Sequence, residues 1–279
     1  METGLDFLNY LNRDLSLKIM TCLDDLSDIV HASSVSLDWL HFAIDNRLAK
    51  NLCLRKFPQL SRVDHVEDCR IARNLQVEAG SGNMESEDCI TEAIMASSTD
   101  RYPLESIENT LEEFDGVAWR PSYWSSEGQI NPAVPETLTY KLVADLCVIT
   151  EIRIRPFQAN FEPGSPIYSA RSVRFRMGHS LGDNYVWTYT SDEFPMVQEA
   201  HLQSFMLPEP VLCIGGILQI ELRGRVQAPP PPQGDGLFYI CVEHVQVVGR
   251  PLSSFGIEIL EDSEKFVLKA LSCTPPSLT

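Results

Sequence analysis

The chain has 279 residues, 44% of them hydrophobic, enough for a substantial core and too apolar for a mainly disordered polypeptide. At roughly 100–200 residues per domain it accommodates two. Its formal net charge of -17 disfavours nucleic acid or an anionic membrane as the main partner.

The first residues, Met1-Glu2-Thr3-Gly4, lack a basic segment leading into an apolar run, so no signal peptide is expected. No apolar run approaches the roughly eighteen residues of a membrane span. From residue 11 the pattern becomes helical. Leu15, Ile19, Cys22 and Leu23 recur on one face, with Leu17 and Met20 on another. A second helix is expected from Ser27, presenting Ile29, Val30 and Ala32. A third is expected from Ser36, presenting Leu37, Trp39, Leu40 and Ala43. Asp45 is expected to cap a fourth carrying Leu48, Leu52 and Leu54. A helical unit of about fifty residues is marginal by itself, because small domains bury too little of their surface, and this makes it an interaction module with a partner as its natural stabiliser.

This stretch resembles an F-box, assigned to residues 5–57. Leu11 and Asn12 take the Leu-Pro place, and Leu15, Ile19 and Leu23 the first-helix contacts. Asp28-Ile29-Val30 begins the middle helix, and Val35 with Trp39 takes the segment that follows. The resemblance implies docking on the Skp-type adaptor of a Skp–cullin–F-box ubiquitin ligase through Leu11, Asn12, Leu15, Ile19, Leu23, Ile29, Val35 and Trp39. Two departures stand out. Asn12 replaces proline and sets the helix entry less rigidly. Leu37-Asp38 replaces the usual basic pair before Trp39.

Residues 58–114 read as an acidic connector of short helical pieces and polar turns, with Ala79-Gly80-Ser81-Gly82-Asn83 as a break. Between Asp64 and Asp115 fourteen acids stand against three bases, a solvated run rather than a site. Strands dominate after Asp115. They are expected at Thr137 to Leu142, Cys147 to Arg155, Ser172 to Met177, Tyr185 to Thr190, Ile217 to Arg223 and Leu237 to Val248. With Pro, Gly and Asn punctuation and little helix between them, they indicate an antiparallel sandwich over residues 115–250. The fold class expected is therefore α+β multidomain: a small helical unit, a helical and polar connector, and a β-sandwich. Beyond it, in a tail of residues 251–279, Glu261 to Leu271 is expected to form an amphipathic helix with Phe266, Val267 and Ala270 buried.

The run from Val117 to Ser126, then Pro135 to Leu142, then Ile152-Arg153-Ile154-Arg155, is similar to the opening of galactose-binding-like or discoidin-like jelly rolls. Together the two halves resemble a plant F-box family with a jelly-roll-like C-terminal part. The fold name does not establish sugar binding.

Arg153 and Arg155 share one strand face, and Arg174 and Arg176 share another. If the two strands neighbour each other, four guanidinium groups form a patch for a phosphorylated or acidic segment. The competing reading is the wet face of half-buried strands, with Ile152, Ile154, Val173 and Phe175 inward. Trp124, in a Ser-rich loop, either plugs the end of the sandwich or touches a ligand. Trp119, Tyr123, Trp187 and Tyr189 complete an aromatic set for which core packing competes with a cleft. The run from Ala228 to Gly236 favours polyproline II and reads as an extended hairpin insertion.

No GxxxxGK[ST], HExxH or GxGxxG motif is present, and the eight cysteines include no CxxC pair. No catalytic residue, metal or cofactor is expected, and scattered thiols point to a reduced cytoplasmic or nuclear compartment. The resulting expectation is a non-catalytic substrate-recognition subunit of the ligase. Its partners would be a Skp-type adaptor, a cullin scaffold and a protein target, phosphorylated or glycosylated. A carbohydrate-binding lectin-like protein is the alternative, and a hydrolase on a jelly-roll scaffold a further one.

Overall fold

A computed structural model describes residues 7–66, 87–113, 121–229, 234–252, 255–260 and 265–270. The break at 79–83, Trp119, the prolines at 230–232 and the last nine positions lie outside the described residues. The chain divides into two compact units, residues 1–84 with 258–269, and residues 85–257 with 270–279.

Helices α1 (Phe7–Tyr10), α2 (Arg13–Thr21), α3 (Leu26–Ser33), α4 (Leu37–Asp45) and α5 (Leu48–Lys56) open the first unit, followed by a 3-10 turn at Pro58–Arg62. Short polar side chains start three of them by accepting orphan backbone N–H groups. Asn12 accepts from Leu15 N at 2.8 Å, Asp25 from Ser27 N at 2.8 Å and Ser36 from Trp39 N at 3.3 Å. The helix expected from Ser27 thus begins one residue earlier, behind Asp25. Asp45 does not cap α5. It ends α4, and Arg47, at φ 51, turns the chain directly into α5 without a side-chain cap. Arg55 of α5 closes the other end of α2, donating to the carbonyls of Thr21 and Leu23 at 2.9 Å each. The enclosed centre consists of Met20, Ile29, Ala43, Leu48 and Leu52.

The strands are β1 (Val63–Val66), β2 (Glu87–Asp88), β3 (Ile90–Ala96), β4 (Trp124–Ser125) and β5 (Glu136–Leu142). Next come β6 (Leu146–Gln158), β7 (Ile167–Tyr168), β8 (Ala170–Leu181), β9 (Asn184–Thr190) and β10 (Phe194–Pro195). Last are β11 (Gln203–Ile214), β12 (Ile217–Arg225), β13 (Cys241–Pro251), β14 (Phe255–Ile259) and β15 (Phe266–Ala270). In the first unit β1 pairs in parallel with β15, and Lys265 meets Asp64 at 2.8 Å. The expected C-terminal helix is therefore a strand where it is described. Phe266, Val267 and Leu268 are buried in succession, a run that serves a doubly covered strand and not a helix with one apolar stripe.

The second unit is a sandwich of two antiparallel sheets. One has the order β10-β8-β12-β5-β3, with β9 on β8. The other runs β11-β6-β13-β2, with β4 on β13 and β7 on β6. Leu138, Tyr140, Val173, Phe175, Leu218 and Ile220 of the first sheet share one buried cluster with Ile149, Ile152, Phe205, Val245 and Val247 of the second. The bulge at Thr150 explains why Cys147 and Ile149 point inward and then Ile152 and Ile154 do too. One extra residue shifts the alternation by one.

β3 and β11 are the longest of the strands that run where none was expected. β3 was read as part of a helical connector, yet it pairs with β5. β11 contains Pro208 and Pro210, which argue against a strand by propensity. It is an edge strand, where missing N–H donors cost nothing, and its pairing with β6 jumps from Met206 to Val211. No helix among the described residues is long and apolar enough to cross a membrane.

Candidate functional site

The helical unit places its apolar side chains on two sides. Ile29 is 4% exposed and lies in the enclosed centre, while Leu23 and Trp39 are half-buried and pack against it. Ile29 is therefore a core residue, which corrects its assignment to the docking face. The enclosed side of α2 is carried by Met20 with Leu17 packed beside it. That leaves Leu15 and Ile19 turned outward, 48% and 47% exposed. Val35, between α3 and α4, is 65% exposed, Leu11 is half-buried, and Asn12 is occupied as the cap of α2. The structure adds Val30, Leu37, Leu40 and Ile44 to the exposed apolar set. Leu37, Leu40 and Ile44 stand three and four apart on α4, so helical spacing carried the signal.

The sandwich separates the four arginines. Arg153 and Arg155 lie on β6 of one sheet, Arg174 and Arg176 on β8 of the other, so they do not form the single patch envisaged from sequence. Each is also engaged. Arg153 donates to both oxygens of Glu151, at 2.7 and 2.9 Å, and to Gln246 at 3.1 Å. Arg155 faces Glu243 at 3.5 Å and Glu113 at 3.6 Å. Arg174 and Arg176 converge on Oε2 of Glu221, at 2.6 and 3.0 Å, and Arg223 donates to its Oε1 at 2.9 Å.

These contacts set the carboxyl pKa values. The hydrogen bond from Arg153 holds Glu151 below the usual carboxylate range. Burial pushes Glu221 upward, but hydrogen bonds from Arg174 and Arg223 and the charge of Arg176 outweigh it, and the net shift is down.

Trp124 is fully enclosed in the sandwich core, with its indole N–H donating to the carbonyl of Ser98 at 3.0 Å. It plugs the fold and does not face a ligand. Trp187 is half-buried on β9, its ring stacked on Tyr185 with centroids 5.4 Å apart. Tyr123, also half-buried, stacks on Phe157 at 3.7 Å.

A feature without a sequence signal is the ion pair of Arg225 and Glu136, both 2% exposed. Arg225 also donates to Ser126 Oγ at 2.6 Å and to the carbonyl of Glu127 at 3.1 Å. Glu136 accepts from Ser97 and, at 2.9 Å, from Ser98. The pair ties the ends of β5 and β12 to the loops after β3 and β4. Arg225 Nε has no partner among the described residues, and the remaining contacts make the pair a structural tie.

No family model matches the chain. A relative from Arabidopsis thaliana, F-box protein At4g00755, is 50% identical over 318 aligned positions, covering 98% of this chain and 84% of the relative. Solved structures similar to the sandwich share little sequence. A family 32 carbohydrate-binding module from Clostridium perfringens NanJ, in complex with galactose, is 14% identical at a TM-score of 0.39, covering 58% of this chain and 98% of that one. A fucolectin from striped bass, Morone saxatilis, is 15% identical at 0.41, covering 60% and 50%. A putative chitobiase fragment from Bacteroides thetaiotaomicron is 8% identical at 0.44, covering 61% and 95%. At such scores these likenesses carry no argument about what this sandwich binds. The relationship to the Arabidopsis protein extends over nearly the whole sequence, and by it the chain belongs to the F-box protein family.

Proposed function

We propose that this protein is a substrate-recognition subunit of a Skp–cullin–F-box ubiquitin ligase, without an active site of its own, working in the cytoplasm or nucleus. Its helical unit docks on a Skp-type adaptor joined to a cullin scaffold, and its sandwich holds a protein target. The contribution to ubiquitin transfer is proximity, since holding two reactants together replaces a bimolecular encounter with an effectively unimolecular one.

The observation that carries the reading is the open apolar face of the helical unit in a chain of this family. Leu15, Ile19, Val30 and Val35 stay exposed although the unit has a centre of its own. Full burial of one such side chain is worth about 1.5–3 kcal/mol, so a partner that covers several supplies the stabilisation of a specific complex.

Capture of a purified Skp-type adaptor by the full chain is the test. A double variant, Leu15→Asp with Ile19→Asp, is expected to lower adaptor affinity about 100-fold, since both contacts turn into desolvated charges. Capture of the adaptor at wild-type strength by that variant would place the docking face elsewhere. Absence of capture by the unmodified chain would remove the ligase reading altogether.

A further inference from the structure

We propose that a cleft on the sandwich, formed by Arg171, Ser172, Glu193, Arg223, Gly224 and Pro135, binds an oxyanion, a carboxylate or phosphate, carried on an extended segment of the target. The proposal rests on the reading above and deepens it by naming the chemistry that the sandwich recognises. It involves a different residue from the arginines on the two outer strand faces.

The cleft has a volume of about 420 Å³, with Pro135 and Ala133 as the apolar part of its lining. That size lies within the range of about 300–1,000 Å³ common for binding sites. Arg171 is exposed and its side chain has no partner among the described residues. This sets it apart from Arg153, Arg155, Arg174, Arg176 and Arg223, each of which meets a carboxylate. In a chain with 39 acids against 22 bases, a guanidinium left open at a cleft stands out from its neighbours.

Local charge favours an anion. Arg171, Arg174, Arg176 and Arg223 stand against Glu193 and Glu221. Both oxygens of Glu193 are committed: Ser172 donates to Oε1, and Arg223 donates to Oε2 at 3.1 Å. The carboxylate is thereby held aside and compensated, so its repulsion of an incoming anion is reduced.

Gly224 explains how Arg171 is placed. Its φ is +73°, and a Cβ there would come within 2.9 Å of the Cβ of Arg171. Glycine supplies both the left-handed backbone and the room for the arginine stem to lie across the strand. The free guanidinium then offers a planar fork of donors, the geometry that meets a carboxylate or phosphate through two parallel hydrogen bonds.

The test is calorimetric titration of the full chain at low salt. The probes are Gly-Gly-Glu-Gly-Gly, acetylated at its N-terminus and amidated at its C-terminus, the same blocked peptide with phosphoserine or serine at its centre, and inorganic phosphate alone. One or both acidic peptides are expected to bind, more weakly as salt rises, and the serine peptide is not. The tighter of the two tells carboxylate from phosphate. Arg171→Gln is expected to lower the affinity about tenfold, the scale of one charge-assisted contact, with Arg171→Lys between it and the unmodified chain. Arg171 is exposed, so these variants should keep the unfolding midpoint. Equal binding by Arg171→Gln, equal binding of the serine peptide, or inorganic phosphate binding as tightly as the peptides would overturn the proposal. Adaptor capture, measured on the same samples, separates the two readings. Loss of peptide binding with capture intact defeats the cleft alone, and loss of capture with peptide binding intact defeats the ligase assignment alone.

Discussion

Among the described residues of the sandwich, twenty-seven buried residues form one continuous cluster, and Arg153, Arg174 and Arg176 on its strand faces are held by glutamates. Among the described residues of the helices five apolar side chains are enclosed, while Leu15, Ile19, Val30, Val35, Leu37, Leu40 and Ile44 lie open. Two facing sheets cover each other's apolar sides and leave charged residues for water. Helices of eight or nine residues, such as α2 to α5, cannot do this when they carry apolar side chains on two faces. The sandwich is thus complete as a fold, and the binding proposed for it falls to particular polar groups. The helical unit leaves an apolar face uncovered, and the docking proposed for it falls to that face.

The largest change that should break this contrast is in the sandwich. Arg225→Met leaves Glu136 buried without its partner, and the expected cost is about 3–5 kcal/mol. Urea unfolding followed through tryptophan fluorescence would register it, because Trp124 is enclosed in the same unit. A cost below about 1 kcal/mol would mean that the serine hydroxyls around Glu136 hold the carboxyl without the arginine, and that the pair is not the tie it resembles.

Within the helical unit the two sides should differ sharply. Ile29→Ala removes a side chain from the enclosed centre and is expected to cost about 2–5 kcal/mol. Leu15→Ala, on the open side, is expected to stay within about 0.5 kcal/mol. Thermal melts followed by circular dichroism test the pair. Equal losses would mean that the exposed face is covered by this protein itself.

The smallest effect concerns acid. Glu221 is held below its ordinary pKa of 4.5, burial opposing and the three arginines prevailing. Its ionised form is favoured in the folded state. The resulting stability is present above the unfolded pKa and is lost as the pH falls through the folded one. Sandwich stability should therefore decline on acidification below the ordinary carboxylate range. In Glu221→Gln that decline should be shallower, and an unchanged profile would assign the acid response to other carboxylates.

Local pattern made much of this molecule legible. The helix start at Ser36, the spacing of Leu15 and Ile19, and the alternation in Ile152-Arg153-Ile154-Arg155 are properties of neighbouring residues, and they located helices and strands to within a few positions. Propensity misled where environment prevailed. Pro208 and Pro210 hid an edge strand, and the acidic surroundings of Ile90–Ala96 hid the strand beside β5.

The sequence alone thus determined a helical module with surplus apolar surface, followed by half-buried strands with charged outer faces. Only the tertiary structure decided which strands became neighbours. It parted Arg153 and Arg155 from Arg174 and Arg176, brought Arg225 to Glu136, enclosed Trp124 and Ile29, and left Arg171 open beside Gly224. The reason is one of range. Periodicity states which side of an element is apolar, whereas sheet order and the partners of a buried charge depend on pairings across scores of residues, on which alternation is silent.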